Sequence, residues 1–423
     1  NNSDTISGAT VNFSQFGGGA AVSATNSSGT WTATYTILNG SVDATSRNVS
    51  VTATDNAGNT TTRADSTNAT VDNVSPTVTN ARISIGGATG TGGACKIGDA
   101  VTATWSHTPG GDNNSDTIAS VTVDFSQFGG GGAVAATNSA GTWTTTFTVA
   151  SGSIDATNRN VSVYATDNAG NTTATADSTN ATVDNIGGTV SGVSSTTGDG
   201  TYRAGDSIAI TVSFSDSAFV TGTPQLALNS GGTASYAAGS GTAALSFTYA
   251  VQSGESAADL DFVSTASLGG TITDDAGNAF TLTLAAPGAA NSLGANKAIV
   301  IDGVAATVAS VSVPANGTYQ SGQTFDLTVN ASEALVVDTG GGTPYIALGI
   351  GSVTVRAAYV SGSGTSALVF RYTVQAGDGD NDGITVGALS LDGSTIRDAA
   401  GNNLTLTLNS VGSTAGVLVD SRA

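Results

Sequence analysis

The chain contains no methionine, one cysteine, one histidine and six prolines in 423 residues, and only 11 of those residues are lysine or arginine. A lone cysteine, Cys95, excludes an intrachain disulfide and leaves a small, buried or incidental side chain. A lone histidine, His107, beside Trp105 and Pro109, reads as an exposed loop residue. With it, any Cys/His zinc spacing is excluded. So few cations exclude a phosphate-seeking surface, and no nucleic-acid partner is expected. No Gly-x-Ser-x-Gly elbow and no glycine-rich loop opening a helix is present, so enzymatic activity is not expected. No apolar run approaches the length of a membrane span. With no methionine even at position 1, the chain is expected to be processed or a fragment. Large side chains are scarce too, at 6% aromatic, so each core must be thin and something besides packing must help to hold it.

What is abundant is glycine, at 57 residues, together with Thr, Ser, Ala, Val and Asn, a mixture suited to many short strands joined by tight turns. Residues 1–73 recur at 113–185 without insertion or deletion, and 56 of the 73 positions are identical. The 112-residue period is too long for a solenoid repeat and close to one small sandwich domain. A mostly apolar face alternates with a hydroxylated one at Trp31, Ala33, Tyr35 and Ile37, at Trp143, Thr145, Phe147 and Val149, and at Leu245, Phe247, Tyr249 and Val251. This is the period of antiparallel strands with one buried face. The expected class is all-β, as tandem antiparallel β-sandwich domains of the immunoglobulin type in an elongated array. Their boundaries are expected at 1–73, 74–185, 186–302 and 303–423. The first domain lacks the counterpart of residues 76–112, its first two strands. Either the natural chain extends upstream, which is the favoured reading, or a neighbouring molecule supplies them.

Acidic residues outnumber basic ones by 31 to 11, a formal net charge of −20. They recur at fixed positions. Asp-x-Ala-Gly-Asn begins at Asp55, Asp167, Asp274 and Asp398, with Asp275 as a second acid in the third copy. Short strands end in Asp at Asp72, Asp184, Asp302 and Asp420. In such a sandwich the hairpin before the last strand has its tip at the pole where the chain enters. The expected pairs are therefore Asp72 with Asp167, Asp184 with Asp274 and Asp275, and Asp302 with Asp398, while Asp55 and Asp420 await partners. Carboxylates converging at a tight junction repel one another unless a cation lies between them, and hard oxygen donors suit Ca²⁺. Unliganded turns are the alternative. A separate run, Asp378-Gly379-Asp380-Asn381-Asp382-Gly383, follows the start of a calcium loop but has Leu389 where a bidentate acid belongs. It is either a calcium site at Asp378, Asp380 and Asp382 or a solvated acidic turn.

The hairpin motif followed by a strand ending in Val-Asp, a short bridge and a new strand resembles the tandem bacterial immunoglobulin-like repeats of giant secreted adhesins. Thr223-Pro224-Gln225-Leu226-Ala227-Leu228 and Lys297-Ala298-Ile299-Val300-Ile301-Asp302-Gly303 resemble them most. The resemblance implies Ca²⁺ ligated between flanking domains of the same chain by Asp72, Asp167, Asp184, Asp275, Asp302 and Asp398. The proline usual in the bridge survives as Pro76; Gly188 and Ala306 replace it elsewhere. The resemblance implies an extracellular, cell-surface stalk in a biofilm-type adhesin. The runner-up is a self-assembling subunit of a filament, sheath or surface layer, with neighbouring copies as partners.

Overall fold

Strands dominate a computed structural model that describes residues 4–421. Among the described residues one α-helical turn occurs, Leu293–Asn296, where the Ser292 hydroxyl accepts from the Ala295 amide at 3.1 Å. No helix among them is long and apolar enough to cross a membrane. The chain forms two units. One comprises residues 1–187 with Ala276–Asn278, the other 188–275 with 279–423.

In the first unit, residues 76–185 build two four-stranded antiparallel sheets. One has the order Thr137–Ser139, Thr142–Thr148, Ala100–Ser106, Ile83–Gly86. The other has the order Val134–Ala135, Ile118–Asp124, Ser162–Asp167, Thr172–Ala176. Alternation along each strand sends Val101, Ala103, Trp105 and Trp143 from one sheet, and Val121, Val123, Val163 and Ala165 from the other, into a single core. Phe125 and Phe128 close one end of it edge to face, 6.4 Å apart. Cys95 is buried, and burial pushes its thiol pKa up.

Residues 4–73 repeat the second of these sheets in the same register, with Val11 opposite Val51 as Val123 is opposite Val163. Here the alternation at Trp31–Ile37 misleads. The strand there covers only Thr30–Thr32, whereas its counterpart runs the whole length of Thr142–Thr148. The cause is a missing neighbour. All seven residues of Thr142–Thr148 pair with Ala100–Ser106, and among the described residues no strand lies at the corresponding place beside Thr30–Thr32.

The second unit holds two related all-β arrangements with separate cores. The strand Ser207–Ala227 pairs with Val190–Ser195, Thr233–Ala238, Thr242–Ala250 and Leu268–Thr273 around Ile208, Ile210, Phe247 and Phe262. The strand Thr324–Asp338 pairs with Val308–Ser312, Thr365–Thr373 and Thr395–Arg397 around Leu327, Val329 and Phe370. Pairing is not antiparallel throughout. Gly200–Tyr202 runs parallel to Ile299–Asp302, and Gly317–Tyr319 parallel to Val417–Asp420, because an early strand and the last strand of each arrangement run in the same direction. Gly188 also finds its reason here, since a Cβ on it would lie 2.1 Å from Phe280 Cε1. The Phe280 ring occupies the space that a bridge proline would need.

Candidate metal centres

The Asp-x-Ala-Gly-Asn turns that begin at Asp55, Asp167 and Asp398 are closed hydrogen-bonded units. Asp167 Oδ1 accepts from the Ala169 and Asn171 amides at 2.9 Å each, and Asp167 Oδ2 accepts from Asn171 Nδ2 at 2.9 Å. Asp55 repeats this with Ala57 and Asn59, and Asp398 does so with Gly401 and Asn402. Gly170 takes φ 95°, the left-handed turn position that favours glycine. Burial opposes ionisation of Asp167, but the Asn171 side chain and the turn amides outweigh it and hold the carboxyl below its ordinary range. Asp55 is lowered too, chiefly by the Asn59 side chain. In these three copies the first Asp is therefore engaged by its own turn.

The Asn that ends the motif reaches outward. Asn171 Nδ2 lies 3.3 Å from the Asp72 carbonyl and 3.4 Å from Asp72 Oδ1, so one amide links the expected partners Asp72 and Asp167. Asn278 Nδ2 donates to the Asp184 carbonyl at 3.2 Å within the first unit. In the second unit, Asn402 Nδ2 donates to the Asp302 carbonyl at 2.8 Å. An Asn side chain on the carbonyl of a strand-terminal Asp was not anticipated, although Asn closes every copy of the motif.

Around these contacts carboxylates converge in each unit. Asp43, Asp72 and Asp116 each bring an oxygen within 4.8 Å of the others. Asp43 and Asp72 are cross-strand partners, and Asp116 lies two residues before Ile118, which is opposite Asp167. Asp302, Glu333 and Asp398 form a corresponding set under the same 4.8 Å limit. Among the described residues no lysine or arginine forms an ion pair with either set; the ion pairs present are Arg356–Asp392 and Arg371–Asp326. Burial and this mutual repulsion act on two of these carboxyls. The carboxyl of Asp116 is pushed up by burial and by Asp72, Asp43 and Asp167; that of Glu333 is pushed up by burial and by Asp398 and Asp302. Asp43, Asp116 and Glu333 escaped the sequence reading. Two carried a signal, since Asp43 returns as Asp155 and Asp4 returns as Asp116.

The remaining candidates lie elsewhere. Asp184 is buried at the end of Ala181–Asp184 in the first unit, opposite Asp155, and its Oδ1 accepts from the Ile186 amide at 3.0 Å. In the second unit Asp274 is buried and Asp275 exposed. Asp420 is exposed at the end of Val417–Asp420. The acidic run at 378–382 does not converge as the two sets above do. Asp378 Oδ2 accepts from the Tyr372 hydroxyl at 2.6 Å and the Gln375 amide at 2.8 Å. Asp380 is buried, with Oδ2 on the Gly351 amide and Oδ1 on the Gly383 amide. Asp382 contributes its own amide to Asp380 Oδ1 at 3.3 Å. Nor is His107 an exposed loop residue: it is half-buried, and its Nδ1 accepts from Trp143 Nε1 at 3.0 Å. No family model matches the chain, and no curated protein matches it in sequence.

Proposed function

We propose that the chain is a structural spacer, a run of immunoglobulin-like β-sandwich repeats from an extracellular bacterial surface protein, fastened at its junctions by side chains and by Ca²⁺. The observation that carries this reading is the convergence of Asp43, Asp72 and Asp116, and of Asp302, Glu333 and Asp398, without an ion-pairing cation. The donors are all carboxylate oxygens, which fit a hard divalent cation and not a softer one. When bound, Ca²⁺ would cancel the mutual repulsion and tie together strands from successive repeats.

The chain's own residues supply the rest. Asn171 and Asn402 clamp the carbonyls of Asp72 and Asp302, so each hairpin is held on the end of the preceding repeat without a metal. Cation binding would then stiffen an existing contact. Extracellular modules bind Ca²⁺ with dissociation constants of roughly 10⁻⁴–10⁻³ M, so stiffening would follow export. A binding role is favoured over catalysis because the acidic positions recur from repeat to repeat, as a mechanical element does and a single active site does not. Calorimetric titration with Ca²⁺, repeated on Asp72→Asn and Asp302→Asn, tests the proposal. Saturable binding lost in part with each variant supports it, and heats unchanged by both variants would refute it.

A further inference from the structure

Cys95, Tyr202 and Tyr319 occupy one structural position in three repeats. Each pairs in parallel with the residue before a strand-terminal Asp, namely Val183, Ile301 and Val419. Each is also followed three residues later by a glycine, Gly98, Gly205 or Gly322, whose amide donates to the carbonyl of Val149, Val251 or Val374. The second repeat therefore has cysteine where the two arrangements of the second unit have tyrosine.

In those two arrangements the tyrosine ring has a fixed place. The Tyr319 ring meets Phe325 edge-on with centroids 5.2 Å apart, and its hydroxyl donates to the Ala315 carbonyl at 2.9 Å. Tyr202 packs against its own core, and its hydroxyl donates to the Gly198 carbonyl at 2.8 Å. Both acceptors lie four residues before the tyrosine. Phe325 lies six residues after Tyr319, and Val101 stands at the same distance after Cys95.

Around Cys95 that place is open. A cavity of about 330 Å³ is lined by Ile85, Val101, Gly92, Gly93, Ala181 and Cys95. Cys95 is 4% exposed, and among the described residues its thiol has no hydrogen-bond partner. The carbonyl four residues before it, that of Thr91, accepts from the Ala94 amide at a long 3.4 Å, and a carbonyl oxygen has a second lone pair to offer. A cavity of this size suits a small organic ligand. Apolar walls at Ile85 and Val101, with a carbonyl beside them, complement a ring that bears one hydroxyl.

We propose that the Cys95 cavity is a binding site for a small phenol, whose ring takes the place of the tyrosine ring of the other repeats and whose hydroxyl donates to the Thr91 carbonyl. Cysteine removes the built-in occupant and leaves the wall that the occupant would touch, so the same chemistry is taken up from solution. The site uses none of the converging carboxylates and does not depend on a cation.

The probe is 4-methylphenol, the tyrosine side chain as a free molecule, titrated into the full chain and read from the methyl resonances of Ile85 and Val101. The expected result is a saturable shift of both, with a dissociation constant of roughly 1 mM, while Ile208 and Val329 stay in place. Toluene, which lacks the hydroxyl, should bind at least about threefold more weakly. Cys95→Tyr should fill the cavity, raise the melting temperature and abolish the shifts. Tyr319→Cys should open the corresponding place beside Phe325 and add a second bound phenol per chain, a result independent of how Cys95→Tyr folds. Absence of a saturable shift at Ile85 and Val101 up to the solubility limit of the probe would overturn the proposal. So would unchanged binding in Cys95→Tyr, or equal affinity for toluene.

Discussion

Replacing Asn402 by alanine removes the linking amide and leaves the fold around it intact. The side chain donates to the Asp302 carbonyl at 2.8 Å and to Asp398 Oδ2 at 2.9 Å, and its Oδ1 accepts from the Ala204 amide at 3.3 Å. Asn402 is 7% exposed, so its partners are not rehydrated without rearrangement. A hydrogen bond to a charged group contributes roughly 1.5–3 kcal/mol and a neutral one about 0.5–1.5 kcal/mol. The third contact is long, and these contributions overlap, so the expected cost is about 3 kcal/mol. For a unit of this size that lowers the melting temperature by roughly 6–12 °C. Differential scanning calorimetry in chelator reads it without interference from metal. Asn59→Ala is the internal control, because Asn59 closes the same turn on Asp55 and, among the described residues, its side chain bonds no strand-terminal Asp. Its melting temperature should fall by less, since it loses the bond to Asp55 alone. Equal losses from the two variants would show that Asn serves only its turn, and the linking role would be wrong.

Three further outcomes follow from the same geometry. Asp112→Ala strips the acceptor from Thr79 and from the buried indole of Trp105 and should cost about 2–4 kcal/mol in urea unfolding. Burial opposes the Asp112 charge, but bonds from Thr79 and Trp105 outweigh it and hold its pKa below the ordinary value. Its contribution is thus full above the usual carboxylate range and fades as pH falls through and below it, a dependence that Asp112→Asn should flatten. Glu333 and Asp116 have raised pKa values and work in the opposite sense: the fold holds their protons more tightly than the unfolded chain, so without metal stability falls as pH rises through the ordinary range. Glu333→Gln should therefore raise the melting temperature in chelator and reduce the gain from Ca²⁺, which at 10–100 times the dissociation constant is about 1.4–2.7 kcal/mol per site. Gly188→Ala should cost about 1–3 kcal/mol by forcing the Phe280 ring aside, and an unchanged unfolding midpoint would contradict the packing.

The strands were legible wherever a polar and an apolar residue alternated beside a partner. Leu245–Val251 and Trp143–Val149 have their apolar residues in cores, while Trp31–Ile37 carries the same alternation and remains mostly outside a strand. Alternation states which face a strand could bury, and pairing decides whether a strand forms. The terminal Asp of each short strand and the hairpin motif were visible as recurring letters. Asp43 recurs too, as Asp155, but neither its meeting with Asp72 nor that of Glu333 with Asp302 was legible, because strand register and packing, not spacing in the chain, bring them together. The acidic run at 378–382 looked like a cation loop from its spacing. The carboxylates of Asp378 and Asp380 are turned to the Tyr372 hydroxyl and to backbone amides, the Gly351 amide among them, far from the run in sequence.

The most direct measurement is a crystal structure of the full chain grown with Ca²⁺, with anomalous scattering used to locate the metal. The account predicts density between Asp43, Asp72 and Asp116 and between Asp302, Glu333 and Asp398, with six to eight oxygen ligands at about 2.3–2.6 Å. Carboxylates turned apart at both places under saturating Ca²⁺, with no anomalous peak, would contradict it.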